Sequence, residues 1–198
     1  MVARVLWAEL DASRAESKGT RGFSELTAAG RASPILRYRA AGEMGSSKEI
    51  LEQADALIEC GGADCLQELC GLLRRERPHY NWVGFYFVEG NELVLGPFVG
   101  APSPHVRIPI GKGICGAAVA ERQTVVVPDV NADPRYLACS LQTKSEIVVP
   151  IEAGGRILGE IDIDSHTPDA FTSEDRALLE EIARRLAPVL AERSTADK

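Results

Sequence analysis

The sequence lacks any uninterrupted apolar run close to the roughly 18 to 20 residues of a transmembrane helix. Its N-terminus also lacks the basic-then-apolar layout of a secretory signal peptide. Basic residues are not in excess, because 22 Lys and Arg stand against 29 Asp and Glu, for a formal net charge of −7. Nucleic acids and anionic membranes select clustered Lys and Arg, so we expect neither as a main partner. These absences favour a cytoplasmic protein with a small soluble ligand.

Cysteine is scarce, and its number is odd. Five cysteines in a sequence without an export signal favour free thiols over a disulfide framework. Cys60, Cys65 and Cys70 are spaced more widely than the paired cysteines of zinc sites, and they have no matching second pair or histidines. We interpret these three as small core or surface residues and predict no metal site.

The chain divides near residue 46. Residues 1–45 show little apolar periodicity and are predicted to form a poorly ordered extension. A hydrophobic content of 45% is sufficient for one core, which we assign to residues 46–192, with a short tail at 193–198. Two helices are followed by a hairpin around EGNE, a third strand, a short helix, a fourth strand, a second hairpin and a final helix. This order predicts an α+β domain with an antiparallel sheet of about six strands flanked by helices.

Local capping signals predict where the first and last helices of this domain begin. A serine at 46 or 47 followed by Glu49 resembles a helix entry, and the glycines at 61 and 62 mark the end of that helix. Thr172 with Asp175 three residues later predicts a capping box at the start of the last helix.

The segment GKGICG, residues 111–116, matches the G-x-G-x-x-G pattern of dinucleotide-binding turns. Such a turn belongs after the first strand of a parallel βαβ unit, whereas here two hairpin strands come before it. We interpret its glycines as a tight strand-to-helix turn. Cys115 then falls in the first turn of the helix, where the helix dipole favours a thiolate; a buried small residue is the alternative interpretation.

The segment RILGEIDIDS carries an unusual density of acids on one strand. Strand alternation separates its side chains into an apolar face and an acidic face. The apolar face carries Ile157, Ile161 and Ile163, and the acidic face carries Glu160, Asp162 and Asp164. One interpretation is a solvated face. The other is a pocket that binds a cationic group or keeps a carboxylic acid protonated for proton transfer.

Two further features mark candidate site residues. Cys139 lies between a loop and a strand, seven residues before Glu146, so a thiol and a carboxylate meet at the rim of an otherwise apolar strand. In the first hairpin, Trp82, Gly84 and Tyr86 share a face, an arrangement found in core strands and in aromatic pockets.

The segments NWVGFY, LVLGPF, VRIPIGKGICG, YLACSLQTKSEIVVP and GEIDIDS, in this order, closely resemble the free methionine-(R)-sulfoxide reductases, single-domain enzymes of the GAF fold. The resemblance covers about residues 47–190. It implies a catalytic role for Cys139 and a second redox role for Cys115. The resemblance also implies the residues that hold the substrate, which are Trp82, Tyr86, Glu146, Asp162 and Asp164.

One family feature is missing from this sequence. Many members carry a third cysteine just before the VRIP strand, where this chain has APSPH, with Pro104 and His105. The resemblance therefore leaves two routes for resolving an oxidised Cys139: attack by Cys115 or attack by an external thiol.

The resemblance implies a cytoplasmic oxidoreductase that protects against oxidative stress by reducing free L-methionine-(R)-sulfoxide. In that mechanism the Cys139 thiolate attacks the sulfoxide sulfur while Asp162 or Asp164 protonates the departing oxygen. The resulting sulfenic acid condenses to a disulfide, which a thioredoxin-type reductant reduces without any bound cofactor. A homodimer is a further family expectation. The alternative is a non-catalytic GAF sensor of an amino-acid-like or cyclic-nucleotide ligand.

Overall fold

The computed structural model describes residues 45–61, 64–138 and 140–196. Within them the helices are α1 (Ser47–Cys60), α2 (Cys65–Glu76), α3 (Gly113–Glu121) and α4 (Ser173–Ala196). The strands are β1 (Trp82–Glu89), β2 (Glu92–Val99), β3 (Arg107–Pro109), β4 (Val125–Val127), β5 (Ser145–Ala153) and β6 (Arg156–Ser165). Cys139 and all but the last residue of the predicted extension lie outside the described residues. None of the described helices combines the length and the apolar character needed to cross a membrane.

The strands form one antiparallel sheet in the order β3-β2-β1-β6-β5-β4. Its central pair, β1 and β6, joins the first and the last strand of the domain. In that pair the opposite residues are Trp82 with Asp164, Gly84 with Asp162, and Tyr86 with Glu160. On the other side of β6, Glu146 of β5 lies opposite Asp164. The sheet therefore places the aromatic residues of the first hairpin beside the acids of the last one.

The sheet separates two apolar cores. Helices α1, α2 and α4 cover one face, where Phe85 and Ile161 pack against them. Helix α3 and the connecting loops cover the other face, where Tyr86 and Val148 contribute to the core. Because side chains alternate along a strand, neighbouring residues of β1 and β6 enter different cores. This architecture confirms the predicted α+β fold with six strands.

Strand β6 does not alternate over its whole length. Ile151 of β5 lies opposite Gly159, but the next residue of β5 lies opposite Ile157, which leaves Leu158 as an extra residue. Leu158 packs on the helix-covered face, and Ile157 packs on the α3 face. The prediction that Ile157 shares a face with the two later isoleucines of β6 is therefore wrong, because a bulge reverses the alternation.

The ends of the domain are defined by hydrogen bonds. Ser46 and Glu49 form a capping box at the start of α1, as predicted. Gly45 already belongs to the folded unit, since its N–H donates to Glu76 (3.0 Å) and its carbonyl accepts from Arg77 (2.8 Å). At the other end, α4 continues to Ala196, so the first residues of the predicted tail are helical.

The box that begins α4 is also present as predicted. The Thr172 N–H donates to Asp175 Oδ2 (2.9 Å), and the Asp175 N–H donates back to Thr172 Oγ1 (3.2 Å). These two bonds satisfy backbone donors that have no partner inside the helix.

The GKGICG segment forms a tight turn from β3 into α3. Gly111 and Gly113 have φ of +86° and +70°, a region that disfavours side chains with a Cβ. A Cβ on Gly116 would lie 2.6 Å from the Pro109 carbonyl oxygen, so only glycine allows α3 to begin this close to β3. The strand before the turn pairs antiparallel with its neighbour, which supports a structural turn over a dinucleotide site.

Candidate active site

A cavity of about 230 Å³ opens where β1 begins and β6 ends. Its wall also includes the end of α2, residues 101–103 after β2, and residues 140, 142 and 143 before β5. Of the predicted site residues, Trp82, Tyr86, Asp162 and Asp164 line this cavity. The cavity therefore has an aromatic side from β1 and an acidic side from β6.

Trp82 is held by close packing on β1. A Cβ on either Gly84 or Gly100 would collide with the indole ring, so both glycines leave the space that the ring occupies. Phe98 stacks on the ring, with centroids 5.6 Å apart. The indole Nε1–H donates to the Ala101 carbonyl (3.0 Å), which ties the loop after β2 to the ring. The aromatic wall is therefore fixed by the fold before any ligand binds.

Tyr86 anchors the APSPH loop, where the family resemblance leads one to expect a third cysteine. Its hydroxyl donates to the carbonyl oxygen of His105 (2.9 Å). The imidazole Nε2 of His105 lies 3.2 Å from the carbonyl oxygen of Ala138. The loop thus contacts the residue that directly precedes Cys139, although Cys139 lies outside the described residues.

The acidic face of β6 is buried. Glu160, Asp162 and Asp164 are 0%, 3% and 5% exposed, and Glu146 from β5 is 4% exposed. Within the described part of the chain, neither carboxylate oxygen of Glu160 has a hydrogen-bond partner, and Oδ1 of Asp162 has none. The interpretation as a solvated face is therefore wrong, because α3 and the neighbouring loops cover this side of the sheet.

Burial changes the protonation of these acids. Burial raises the pKa of Glu160 to about 8 and the pKa of Asp164 to about 7. Burial, together with repulsion from the neighbouring carboxylates, raises the pKa of Glu146 and the pKa of Asp162 well above their usual range. Charged carboxylates lose solvation in this position and repel one another. The cluster therefore retains protons at neutral pH and can donate them.

Cys115 reaches the acids from the first turn of α3. It is 5% exposed, and its Sγ donates to Asp162 Oδ2 at 3.4 Å and to Glu146 Oε1 at a longer 3.7 Å. The first turn of α3 thus places the sulfur of Cys115 against two of the buried carboxyl groups. Cys115 and Glu146 do not line the cavity. They lie next to Asp162, which does line it.

Among the described residues, Cys115, Glu146 and Asp162 form a group that could hold a metal ion. One ligand atom from each of Cys115, Glu146 and Asp162 lies within 4.8 Å of the other two. A thiol and two carboxylates are suitable ligands for Zn²⁺. The absence of a metal from the working enzyme stays a prediction.

The other described cysteines lie away from the acids. Cys65 and Cys70 are buried in the core on the helix-covered face of the sheet, whereas Cys115 lies on the opposite face. Cys60 is exposed at the end of α1. These positions confirm the interpretation of the three as core or surface residues.

Sequence reasoning missed polar residues of the cavity wall. Arg74 comes from the last turn of α2, and Asn81 and His166 flank the central strands. The His166 N–H donates to Asn81 Oδ1 (2.7 Å), which joins the two strand ends. Arg74 and His166 lie outside the motifs, and Asn81 lies in one without being marked as a wall residue; the packing of α2 against the sheet brings in Arg74, and the pairing of β1 with β6 brings in the other two.

The comparisons with known proteins agree with this architecture. A family model for the GAF domain matches residues 59–190, which is more than half of the chain. The chain is therefore a GAF-domain protein, with the curled six-stranded antiparallel sheet of that fold.

Similar individual proteins indicate which group of GAF-domain proteins this chain belongs to. The free methionine-R-sulfoxide reductase of Escherichia coli (strain K12) is 41% identical over 126 residues, which are 64% of this chain and 76% of that protein. The structure of free methionine-R-sulfoxide reductase from Neisseria meningitidis in complex with its substrate has 36% identity and a TM-score of 0.74, covering 82% of this chain and 98% of that one. The type II free methionine-R-sulfoxide reductase from Thermoplasma acidophilum has 44% identity and a TM-score of 0.64, covering 69% and 96%. The chain belongs to the free methionine-R-sulfoxide reductase family.

Proposed function

We propose that this protein reduces free L-methionine-(R)-sulfoxide to L-methionine, with Cys139 as the nucleophile and the buried acids of β6 as proton donors. The observation that carries the proposal is the cavity with an aromatic wall on one strand and buried carboxyl groups of raised pKa on the next. The identity to reductases of the same substrate, 41% over most of the Escherichia coli protein, supports the choice of reaction.

The cavity offers groups for both ends of the substrate. The rings of Trp82 and Tyr86 supply apolar surface for the thioether carbons. Asp162 and Asp164 can offset the charge of the substrate ammonium. One ionised carboxylate is enough to neutralise that charge, so the other carboxyl group can stay protonated. Methionine sulfoxide inside a polypeptide has a neutral amide at that position, so the same acids favour the free amino acid.

In the first chemical step the Cys139 thiolate attacks the sulfoxide sulfur, and the S–O bond breaks. The attack joins the Cys139 sulfur to the substrate sulfur, and the carboxyl group of Asp162 gives its proton to the oxygen. The hydroxyl group then moves to the Cys139 sulfur as a sulfenic acid, the bond between the two sulfurs breaks, and methionine leaves with that electron pair. The sulfoxide is reduced by two electrons and Cys139 is oxidised by two. Asp162 is assigned the proton because its pKa is raised and because it also contacts Cys115.

In the second step Asp162, now a carboxylate, takes the proton of the Cys115 thiol, whose Sγ lies 3.4 Å from Oδ2. The Cys115 thiolate attacks the Cys139 sulfur, the protonated oxygen leaves as water with the proton from Asp162, and a disulfide forms. This requires the two Cα atoms to come within about 7 Å. A thioredoxin-type dithiol then reduces the disulfide.

The test follows NADPH consumption by the purified protein with thioredoxin and thioredoxin reductase, using each epimer of free methionine sulfoxide. We expect turnover of the R epimer alone, and the same selectivity when dithiothreitol replaces thioredoxin. Turnover with dithiothreitol but not with thioredoxin would show that the reaction is correct and that the reductant is a different one. If neither reductant supports epimer-selective turnover, the protein is a ligand-binding GAF domain and the proposal is wrong.

A further inference from the structure

Arg74 is a cation in the wall of an otherwise acidic cavity. It lies in the last turn of α2, and among the described residues that line the cavity it is the one Lys or Arg side chain. Asp162 and Asp164 line the same cavity.

Within the described part of the chain, the charge of Arg74 has no ion-pair partner. No described carboxylate forms an ion pair with it, whereas its neighbour Arg75 pairs with Glu76 at 3.2 Å. Arginine side chains on an exposed helix surface commonly find such partners within one turn. Among the described residues, Arg74 therefore has no carboxylate partner, and its exposed guanidinium lines the cavity.

The proposed substrate brings a second charge that the acids alone cannot accommodate. A free amino acid is a zwitterion, and its α-carboxylate would be repelled by the carboxylates of β6. A guanidinium binds a carboxylate through two parallel hydrogen bonds, which makes arginine well suited to this partner.

We propose that Arg74 binds the α-carboxylate of the amino-acid substrate and makes the cavity specific for the zwitterion. The inference rests on the proposed function and extends it. The acids of β6 select substrates with a free ammonium group, and Arg74 selects substrates with a free carboxylate. A methionine sulfoxide residue at either end of a peptide then lacks one of the two charges, and an internal residue lacks both.

The experiment compares two substrates and three proteins. The substrates are free L-methionine-(R)-sulfoxide and its carboxamide, which keeps the ammonium and the sulfoxide but removes the negative charge. The proteins are the unmutated chain, Arg74→Ala, and Arg75→Ala as the matched control on the same helix turn. Initial rates with dithiothreitol give kcat and KM for each of the six pairs.

We expect Arg74→Ala to raise KM for the free amino acid about tenfold, as for a lost charged hydrogen bond at a partly exposed site, with kcat little changed. For the carboxamide, the KM of Arg74→Ala should match that of the unmutated protein. Arg75→Ala should have the same KM as the unmutated protein with both substrates.

Two results would overturn the inference. One is a KM for the free amino acid that is the same in Arg74→Ala and Arg75→Ala. The other is an equal rise of KM for both substrates, which indicates a structural role for Arg74. Both results presuppose turnover by the unmutated protein; its absence with either reductant refutes the proposed function itself, and with it the premise that an amino acid occupies the cavity.

Discussion

At the scale of single residues, the site combines groups whose properties depend on burial. In water, carboxyl groups are ionised at neutral pH. Burial and mutual repulsion raise their pKa, so that they keep protons near neutral pH and can donate them. Asp162 has a central position, since it lines the cavity and also accepts the hydrogen bond of Cys115. A change at this one residue should therefore affect both proposed chemical steps.

The first residue-scale prediction concerns the nucleophile. Cys139→Ser should release no methionine, even in a single turnover without reductant, because a serine hydroxyl is a far weaker nucleophile than a thiolate at neutral pH. Chromatographic measurement of methionine released per chain tests this. Cys60→Ser, at the exposed end of α1, is the matched control and should release methionine as the unmutated chain does. One methionine per chain from Cys139→Ser would assign the attack to another residue.

The second residue-scale prediction compares the three acids of β6. Asp162→Asn and Asp164→Asn should each lower kcat/KM by about 10²-fold, the lower end of the range for lost general acid catalysis. Glu160→Gln should change turnover little, because Glu160 does not line the cavity. Steady-state kinetics with the R epimer measures all three. Small and equal effects of the three substitutions would show that the acids serve only the fold.

At the scale of elements, the site depends on which face of the sheet each helix covers. Helix α3 closes the face that bears the acids, and it brings Cys115 with it. Helices α1 and α2 carry the other described cysteines to the opposite side or to the surface. The layering of the fold thus leaves Cys115 as the internal partner that we propose for Cys139.

The element-scale prediction is a bond between Cys115 and Cys139 after oxidation by substrate. Cys115→Ser should still release one methionine per chain but then stall with thioredoxin, since the sulfenic acid at Cys139 has no internal thiol to attack it. Peptide mass spectrometry of the substrate-oxidised protein identifies the bond. A Cys139 bond to Cys60, Cys65 or Cys70, or a sulfenic acid that persists in the unmutated protein, would show that an external thiol or another route resolves Cys139.

At the scale of the whole molecule, the buried acids couple stability to pH. The pKa of Glu160 rises from 4.5 to about 8 on folding, so the folded state binds more protons than the unfolded state between these values. The stability that this group contributes is therefore complete below about pH 4.5 and is lost as the pH rises through about 8.

The whole-molecule prediction uses Glu160→Gln to remove this titration. Between pH 5 and pH 9 the unmutated protein should lose on the order of 4 kcal/mol of unfolding free energy through Glu160, from about 1.4 kcal/mol per pKa unit. Glu160→Gln should lose less over the same range and should be the more stable protein at pH 9. Urea unfolding at the two pH values measures this difference. Parallel losses in the two proteins would mean that Glu160 does not carry the pH dependence.

Much of the fold is determined by interactions within a few residues of sequence. The boxes at Ser46 and Thr172 lie within one helical turn, and the hairpins depend on short turns between alternating strands, so the sequence alone predicts them. The grouping of Glu160, Asp162 and Asp164 on one face follows in the same way from the period of a strand.

Whether that acidic face meets water or a buried site does not follow from the period of the strand. Its burial depends on the pairing of β1 with β6 and on α3 closing over them, and these contacts join segments far apart in the sequence. The same is true of Arg74, which has no motif and reaches the cavity only because α2 packs beside β1. The side on which Ile157 lies was decided by a one-residue bulge, since strand register depends on the partner strand as well as on the strand itself.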